Sequence, residues 1–259
     1  MHLAEAAAHG LVAEYRLIDL AVLNLGVDAL PTLLAEAEAT GFDGVNITHP
    51  CKQAVVPLLH EISDDARALG AVNTVVLRDG RRLGHNTDWW AFRESMQQGL
   101  PKARLDRVAQ FGAGGAGAAT AYAILTMGAG SLRVVDVDPA RAAGLATAMN
   151  RIFGSARVTV AEPLTALAGA DGVIQATPIG MAAHPGVPFD AGLLRADQWL
   201  AEVIYFPLET ALLRAARARG CATVDGSGMA VYQAVKAFEL FTGRPADADR
   251  MRRSFSEAL

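Results

Sequence analysis

From Leu105 onward the chain alternates between short apolar runs and Ala-rich stretches whose apolar residues recur at helical spacing. The runs at 107–111, 132–136, 173–176 and 200–204 read as strands, predominantly apolar as parallel strands covered on both faces tend to be. Such alternation predicts an α/β lobe built on a parallel sheet. Upstream the pattern is less regular. Strands are expected at 15–18, 44–47 and 71–77, the last followed by Arg78-Asp79-Gly80-Arg81, a turn into a short return strand. Helical spacing predicts helices over 1–11, 52–60, 89–96, 118–127 and 228–241, and a last one from 246 to the end. Gly99-Leu100-Pro101-Lys102-Ala103 punctuates the chain, so the expected division is a small α/β lobe over 1–100, completed by helices at 228–259, and a second lobe over 101–227. A strand at 15–18 needs neighbours to cover it, yet the chain opens directly in a helical pattern. The first lobe is therefore expected to lack its first strand.

Composition narrows the class without changing this outline. A 259-residue chain that is 52% hydrophobic can fill real cores, and an aromatic share of 6% with abundant Ala and Gly suits helices packed closely on strands. The net charge of −4 comes from mixed acids and bases with no basic stripe, which argues against a nucleic-acid partner. Cys51 and Cys221 lie too far apart in sequence to suggest a metal-spaced pair and do not make a disulfide framework. With neither a basic leader nor a long apolar run, the expectation is a cytoplasmic protein without a membrane partner.

The sharpest local signal is Gly112-Ala113-Gly114-Gly115-Ala116-Gly117, a G-x-G-x-x-G between a predicted strand and a predicted helix. Gly112 permits the tight turn, Gly114 lets backbone approach a pyrophosphate, and Gly117 lets helix meet strand. The N–H groups that open the helix face the anion. A bare turn without a ligand is the alternative, and the flanking strand and helix argue against it. Asp136 ends the next strand, nineteen positions after Gly117, where a carboxylate can accept hydrogen bonds from ribose hydroxyls. It would repel a 2′-phosphate, so NAD is expected and NADP disfavoured, although Arg141 lies one helical turn on. Asp138, before Pro139, is the better N-cap.

Three polar clusters in the first lobe resemble neither core nor ordinary loop: Asn46-Ile47-Thr48-His49-Pro50-Cys51-Lys52, Gly70-Ala71-Val72-Asn73-Thr74 and Gly84-His85-Asn86-Thr87-Asp88. Each follows a predicted strand, and strand ends of an α/β sheet converge on a crevice, a setting for a polar ligand. Taken singly, Lys52 reads as a solvated helix lysine and Asp88 as a helix cap. Together they can manage a proton. His49 and His85 flank the clusters, but no carboxylate or Cys completes a ligand set, so no metal is expected.

These elements resemble the shikimate dehydrogenase family over essentially the whole chain. The family's N-V-T-x-P-x-K, G-A-x-N-T and N-T-D-x-x-G elements occur in order. They are followed by its G-A-G-G-A loop at 112–116, its N-A-T-x-x-G-M element at 175–181 and its G-x-G-M-x-V-x-Q element at 226–233, with substitutions. The resemblance implies a substrate-binding lobe, a Rossmann-like cofactor lobe and reversible hydride transfer between a nicotinamide and shikimate or quinate. It assigns the proton to Lys52 and Asp88, and the ring acid to Asn46, Thr48, Asn73, Asn86, Tyr205 and Gln233. Thr177, Gly228 and Met229 join the glycine loop and Asp136 around the cofactor. Family members are monomers or homodimers.

Departures from the pattern are informative. The family's opening strand and S-x-S-P loop, which binds the substrate carboxylate, are absent. Ala91 replaces a glycine, Gln175 an asparagine and Glu202 an aspartate. Asp136-Val137-Asp138 stands where an N-R-T element would hold a phosphate, as in the NAD-using quinate/shikimate branch. Two rivals stay open: a non-catalytic protein binding NAD or a ring acid, and a two-lobed dehydrogenase acting on aminated ring acids or folate.

Overall fold

The computed structural model describes residues 1–154 and 156–258. It divides into two compact units, Met1–Thr87 with Val231–Leu259, and Asp88–Ala230. The first contains α1 (His2–Ala8), α2 (Leu30–Ala39), β1 (Gly44–Asn46), α3 (Cys51–Ala54), β2 (Glu61–Ile62), α4 (Asp64–Leu69), β3 (Thr74–Arg78) and β4 (Arg81–His85). Its sheet has the order β1-β3-β4-β2, with β3 antiparallel to both β1 and β4 and β2 parallel to β4. The expected turn joins β3 to β4, with Asp79 and Gly80 at φ 52° and 69°, the left-handed pair that matches the twist of a two-residue hairpin. Leu34, Val55, Val72 and Val75 anchor the core of this unit.

Two sequence expectations fail here. No strand forms at 15–18: residues 11–19 carry neither helix nor strand, and Val12 and Leu17 are exposed. β1 lies at the sheet edge, paired with β3 alone, and 15–18 does not add to that edge; its Tyr15 hydroxyl instead accepts a hydrogen bond from Asn46 Nδ2 at 3.0 Å. The helix expected over 52–60 stops at Ala54 and gives way to a 3₁₀ turn at Val56–Leu58, where Pro57 has no N–H to continue it.

The second unit contains α5 (Asp88–Gly99), β5 (Arg107–Phe111), α6 (Gly115–Thr126), β6 (Ser131–Val135), α7 (Pro139–Phe153), β7 (Val158–Val160), α8 (Pro163–Leu167), β8 (Gly172–Gln175), β9 (Trp199–Glu202), α9 (Ala211–Ala218) and β10 (Ala222–Val224). Its six strands are all parallel in the order β10-β9-β8-β5-β6-β7, so the chain reverses its direction of travel across the sheet between β5 and β8. In such sheets the crevice at that switch, beyond the strand ends, is where ligands bind. Strands β2, β7 and β10, of two or three residues, fall below what an apolar-run reading detects.

The final helices are α10 (Ser227–Thr242), which crosses the second unit boundary, and α11 (Ala248–Ser256). The division near residue 101 moves to 87/88, and the start of the returning segment from 228 to 231. The reason is α5, which packs with the second unit. Gly228 lies so close to Ser95 that a Cβ would collide with its hydroxyl, and Trp89 meets Tyr122 edge-on at 5.2 Å. In the first unit α11 is tied to α1 by the buried Glu5, which accepts from Arg250 Nε at 2.7 Å and from the Asp247 N–H at 2.8 Å. No helix among the described residues is long and apolar enough to cross a membrane.

Candidate functional site

In the second unit, the predicted nucleotide residues gather at the C-terminal ends of β5, β6 and β8. Gly112 has φ +102°, and its N–H donates to the Val135 carbonyl at 2.8 Å. A Cβ there would strike the Ala176 carbonyl and the Thr177 N, and one on Gly117 would strike the Gly112 carbonyl. Gly114 and Gly115 open α6 with free space where side chains would be. The fit to a pyrophosphate is that open cradle at the start of a twelve-residue helix, flanked by Ala113 and Ala116. Asp136 is partly buried, accepting from Ala113 N at 2.7 Å and Asp138 N at 2.9 Å, so it braces the loop as well as facing its rim. Asp138 caps α7 through Ala140 N at 2.9 Å and pairs with Arg141 at 3.3 Å. Arg141, one helical turn on, is thereby already paired.

Gln175 at the end of β8 organises the next segment. Its Oε1 accepts from Thr177 N at 3.0 Å and its Nε2 donates to the Ile179 carbonyl at 2.7 Å, while Thr177 Oγ1 accepts from Ile179 N at 3.1 Å. Gly228 and the buried Met229 open α10 against α5. Tyr205, 51% exposed, sits on the loop from β9 to α9, next to Phe206 and the cis Pro207. At the end of β9, directly before that loop, Glu202 is buried, and its Oε2 accepts from Thr210 Oγ1 at 2.8 Å while Oε1 has no partner. Burial pushes its carboxyl up to about 7, with the nearby Asp225 adding to the shift and the Thr210 hydroxyl opposing it.

In the first unit, backbone hydrogen bonds stitch the polar clusters together at one end of the sheet. Ile47 N donates to the Asn73 carbonyl at 2.8 Å, Asn73 N to the His85 carbonyl at 3.0 Å and Val72 N to the Lys52 carbonyl at 2.8 Å. Thr48, exposed, opens the turn into α3, its carbonyl accepting from Cys51 N at 2.8 Å; Lys52 lies partly buried on that helix. Buried Asn73 donates from Nδ2 to Thr87 Oγ1 at 2.9 Å and accepts from Thr87 N at 2.8 Å. Asn86 Nδ2 donates to the Ala71 carbonyl at 3.0 Å, and Thr87 Oγ1 donates to the Gln233 carbonyl at 3.3 Å. Asn46 Nδ2 donates to the Tyr15 hydroxyl at 3.0 Å, and its Oδ1 is buried with no partner. Burial also lowers the pKa of His85. Asp88, buried, follows this network directly in the chain as the first residue of α5, and is counted with the second unit. Among the described residues no group of three or more His, Cys, Asp or Glu could hold a metal ion.

Sequence reading overlooked the polar groups that hold these elements from behind: Gln110, Thr120 and the pairing of Glu202 with Thr210. The available signal was a Gln or Glu inside an otherwise apolar strand.

Residues 1–75 match the shikimate dehydrogenase substrate binding domain, and residues 226–254 the shikimate 5′-dehydrogenase C-terminal domain. The chain is 57% identical to a shikimate dehydrogenase (NADP(+)) of Streptomyces avermitilis, over 99% of this chain and 89% of that protein. It is 50% identical to a quinate/shikimate dehydrogenase (NAD(+)) of Corynebacterium efficiens, over 98% of this chain and 91% of that one. Among solved structures, quinate dehydrogenase from Corynebacterium glutamicum in complex with NAD superposes with a TM-score of 0.94 at 49% identity, covering 99% of this chain and 92% of that chain.

Proposed function

The chain belongs to the shikimate dehydrogenase family, and from that premise we propose that it is an NAD-dependent dehydrogenase interconverting shikimate or quinate with the 3-dehydro ketone. The observation that carries this reading is the glycine cradle at the switch between β5 and β8, rimmed by Asp136. We assign cofactor binding to the second unit and ring-acid binding chiefly to residues of the first. Asn46, Thr48, Asn73, Asn86 and Gln233 supply donors and acceptors suited to several hydroxyls, with Tyr205 and the proton pair Lys52 and Asp88 completing the set.

Oxidising a secondary alcohol removes a hydride and a proton. Bound NAD supplies the hydride-accepting carbon. Lys52 Nζ takes the proton from the reacting hydroxyl, and the Asp88 carboxylate stabilises the resulting ammonium. In the reverse direction Lys52 returns the proton to the oxygen of the ketone. Asn73 and Thr87, bonded to each other, hold the segment that leads into Asp88.

The similar proteins divide between the two nicotinamide cofactors, so the choice rests on residues of this chain. Asp136 offers a carboxylate to ribose hydroxyls and repels a 2′-phosphate, and Arg141 is paired with Asp138. The free thiols Cys51 and Cys221 suit a reducing cytoplasm, where we place the reaction. The test is NADH formation by the purified chain with each acid. Reduction of NAD on at least one of them, with NADP at least about tenfold slower, is expected. Turnover with neither acid would defeat the proposal, and tight NAD binding in that case would favour a non-catalytic binder.

A further inference from the structure

A carboxamide in the middle of a parallel strand is a costly choice. Gln110 is fully buried in β5, and its ladder neighbours on either side are Val134 and Ile174. An aliphatic side chain would fill such a position without the cost of desolvating an amide. The amide is nevertheless satisfied entirely by groups of the glycine loop and its helix. Nε2 donates to the Gly112 carbonyl at 2.9 Å and to the Gly117 carbonyl at 2.8 Å. Oε1 accepts from the buried Thr120 hydroxyl at 2.9 Å, which also lies 3.1 Å from the Gly117 carbonyl. One side chain thus clamps the first and last glycines of the G-x-G-x-x-G from beneath.

We propose that Gln110, locked by Thr120, is a positioning residue for the cofactor: it draws the Gly112 and Gly117 carbonyls inward, so that the loop presents N–H groups and not carbonyl oxygens to the pyrophosphate. The clamp touches no cofactor atom and acts through the loop alone. It also supplies a second reason why residue 117 is glycine, since a Cβ there would sit 3.2 Å from Gln110 Nε2 besides striking the Gly112 carbonyl. Without the clamp, the Gly112 carbonyl loses its side-chain donor and the loop gains freedom to turn it towards an anion.

The inference rests on the reading of this loop as a dinucleotide site, and the experiment separates the two. NAD dissociation constants are measured by fluorescence quenching for the full chain and for Gln110→Met, Thr120→Val and Thr120→Ser, alongside hydrogen exchange of residues 112–117 without cofactor. Gln110→Met, close in volume, is expected to weaken NAD binding about tenfold or more and to speed loop exchange. The KM for the ring acid and kcat at saturating NAD should stay within about twofold. Thr120→Val should weaken binding less, and Thr120→Ser, which keeps the hydroxyl, should restore it. Unchanged NAD affinity in folded Gln110→Met, or in Thr120→Val should Gln110→Met not fold, would overturn the clamp while leaving the proposed function standing. So would an equal loss in every kinetic parameter, the mark of a general packing defect. No NAD binding by the unmodified chain would instead remove the reading on which both stand.

Discussion

The two sheets teach different lessons about where function is written. In the six-stranded parallel sheet, the inner strands are apolar on both faces, and the buried polar side chains along them, Gln110, Gln175 and Glu202, each brace a loop or helix end at the C-terminal edge. In the four-stranded mixed sheet, strands are short, β1 is an edge, and the chemistry-bearing residues lie in the connections, stitched by backbone and amide hydrogen bonds. On the proposed assignment, the first region would hold its ligand on a frame of strand ends, the second on a network of turns. Substitutions should therefore separate cofactor affinity from ring-acid chemistry.

The largest separation is expected from Gly117→Ala. Its methyl group would collide with the Gly112 carbonyl, so NAD affinity should fall more than about a hundredfold while ring-acid binding, followed by ligand-observed NMR, persists. A variant that still binds NAD normally would dissolve the contrast. Asp136→Ala should move the NAD-to-NADP ratio of kcat/KM by about tenfold towards NADP, and also weaken both cofactors by freeing Ala113 N. An unchanged ratio would remove Asp136 from cofactor choice.

Glu202 sharpens the comparison through pH. Its carboxyl is raised in the folded protein to about 7, so the fold favours the protonated form. The resulting stability is complete below about pH 4.5, declines as pH rises towards 7 and is lost above, amounting to about 3 kcal/mol. Glu202→Gln should abolish that decline and raise the denaturation midpoint at pH 8, as seen in urea titrations across pH. A slope unchanged in the variant would count against it. The smallest effect is expected in the mixed sheet, where Arg82 pairs with Glu38 at 2.7 and 2.8 Å near the surface. Arg82 holds the Glu38 carboxyl below its ordinary value, so this stability is present at neutral pH and lost in acid. Glu38→Gln should cost less than about 1 kcal/mol at pH 7 by the same titration.

The same contrast explains what could be read without coordinates. Strands β5, β6, β8 and β9 announce themselves because burial on both faces favours a mostly apolar run, and the glycine loop because its turn tolerates no side chain at 112 or 117. The hairpin at Asp79-Gly80 was legible from its turn chemistry. The stretch at 15–18 carries strand-like residues but joins no ladder, and pairing is a tertiary fact that a local pattern does not contain. Of the candidate site, Lys52, Asn73 and Asp88 could be named from motifs. The bonds of Asn73 to Thr87, and of Gln110 to two glycine carbonyls, could not, because they join residues whose approach only the fold creates.

Proton transfer is proposed at Lys52 and cofactor binding at the glycine cradle, two tasks that a single substitution should separate. The most direct measurement is turnover and NAD affinity together in Lys52→Ala. Turnover should fall by about 10²–10⁴-fold with the NAD dissociation constant unchanged within twofold. Near-normal turnover in that variant would contradict the account.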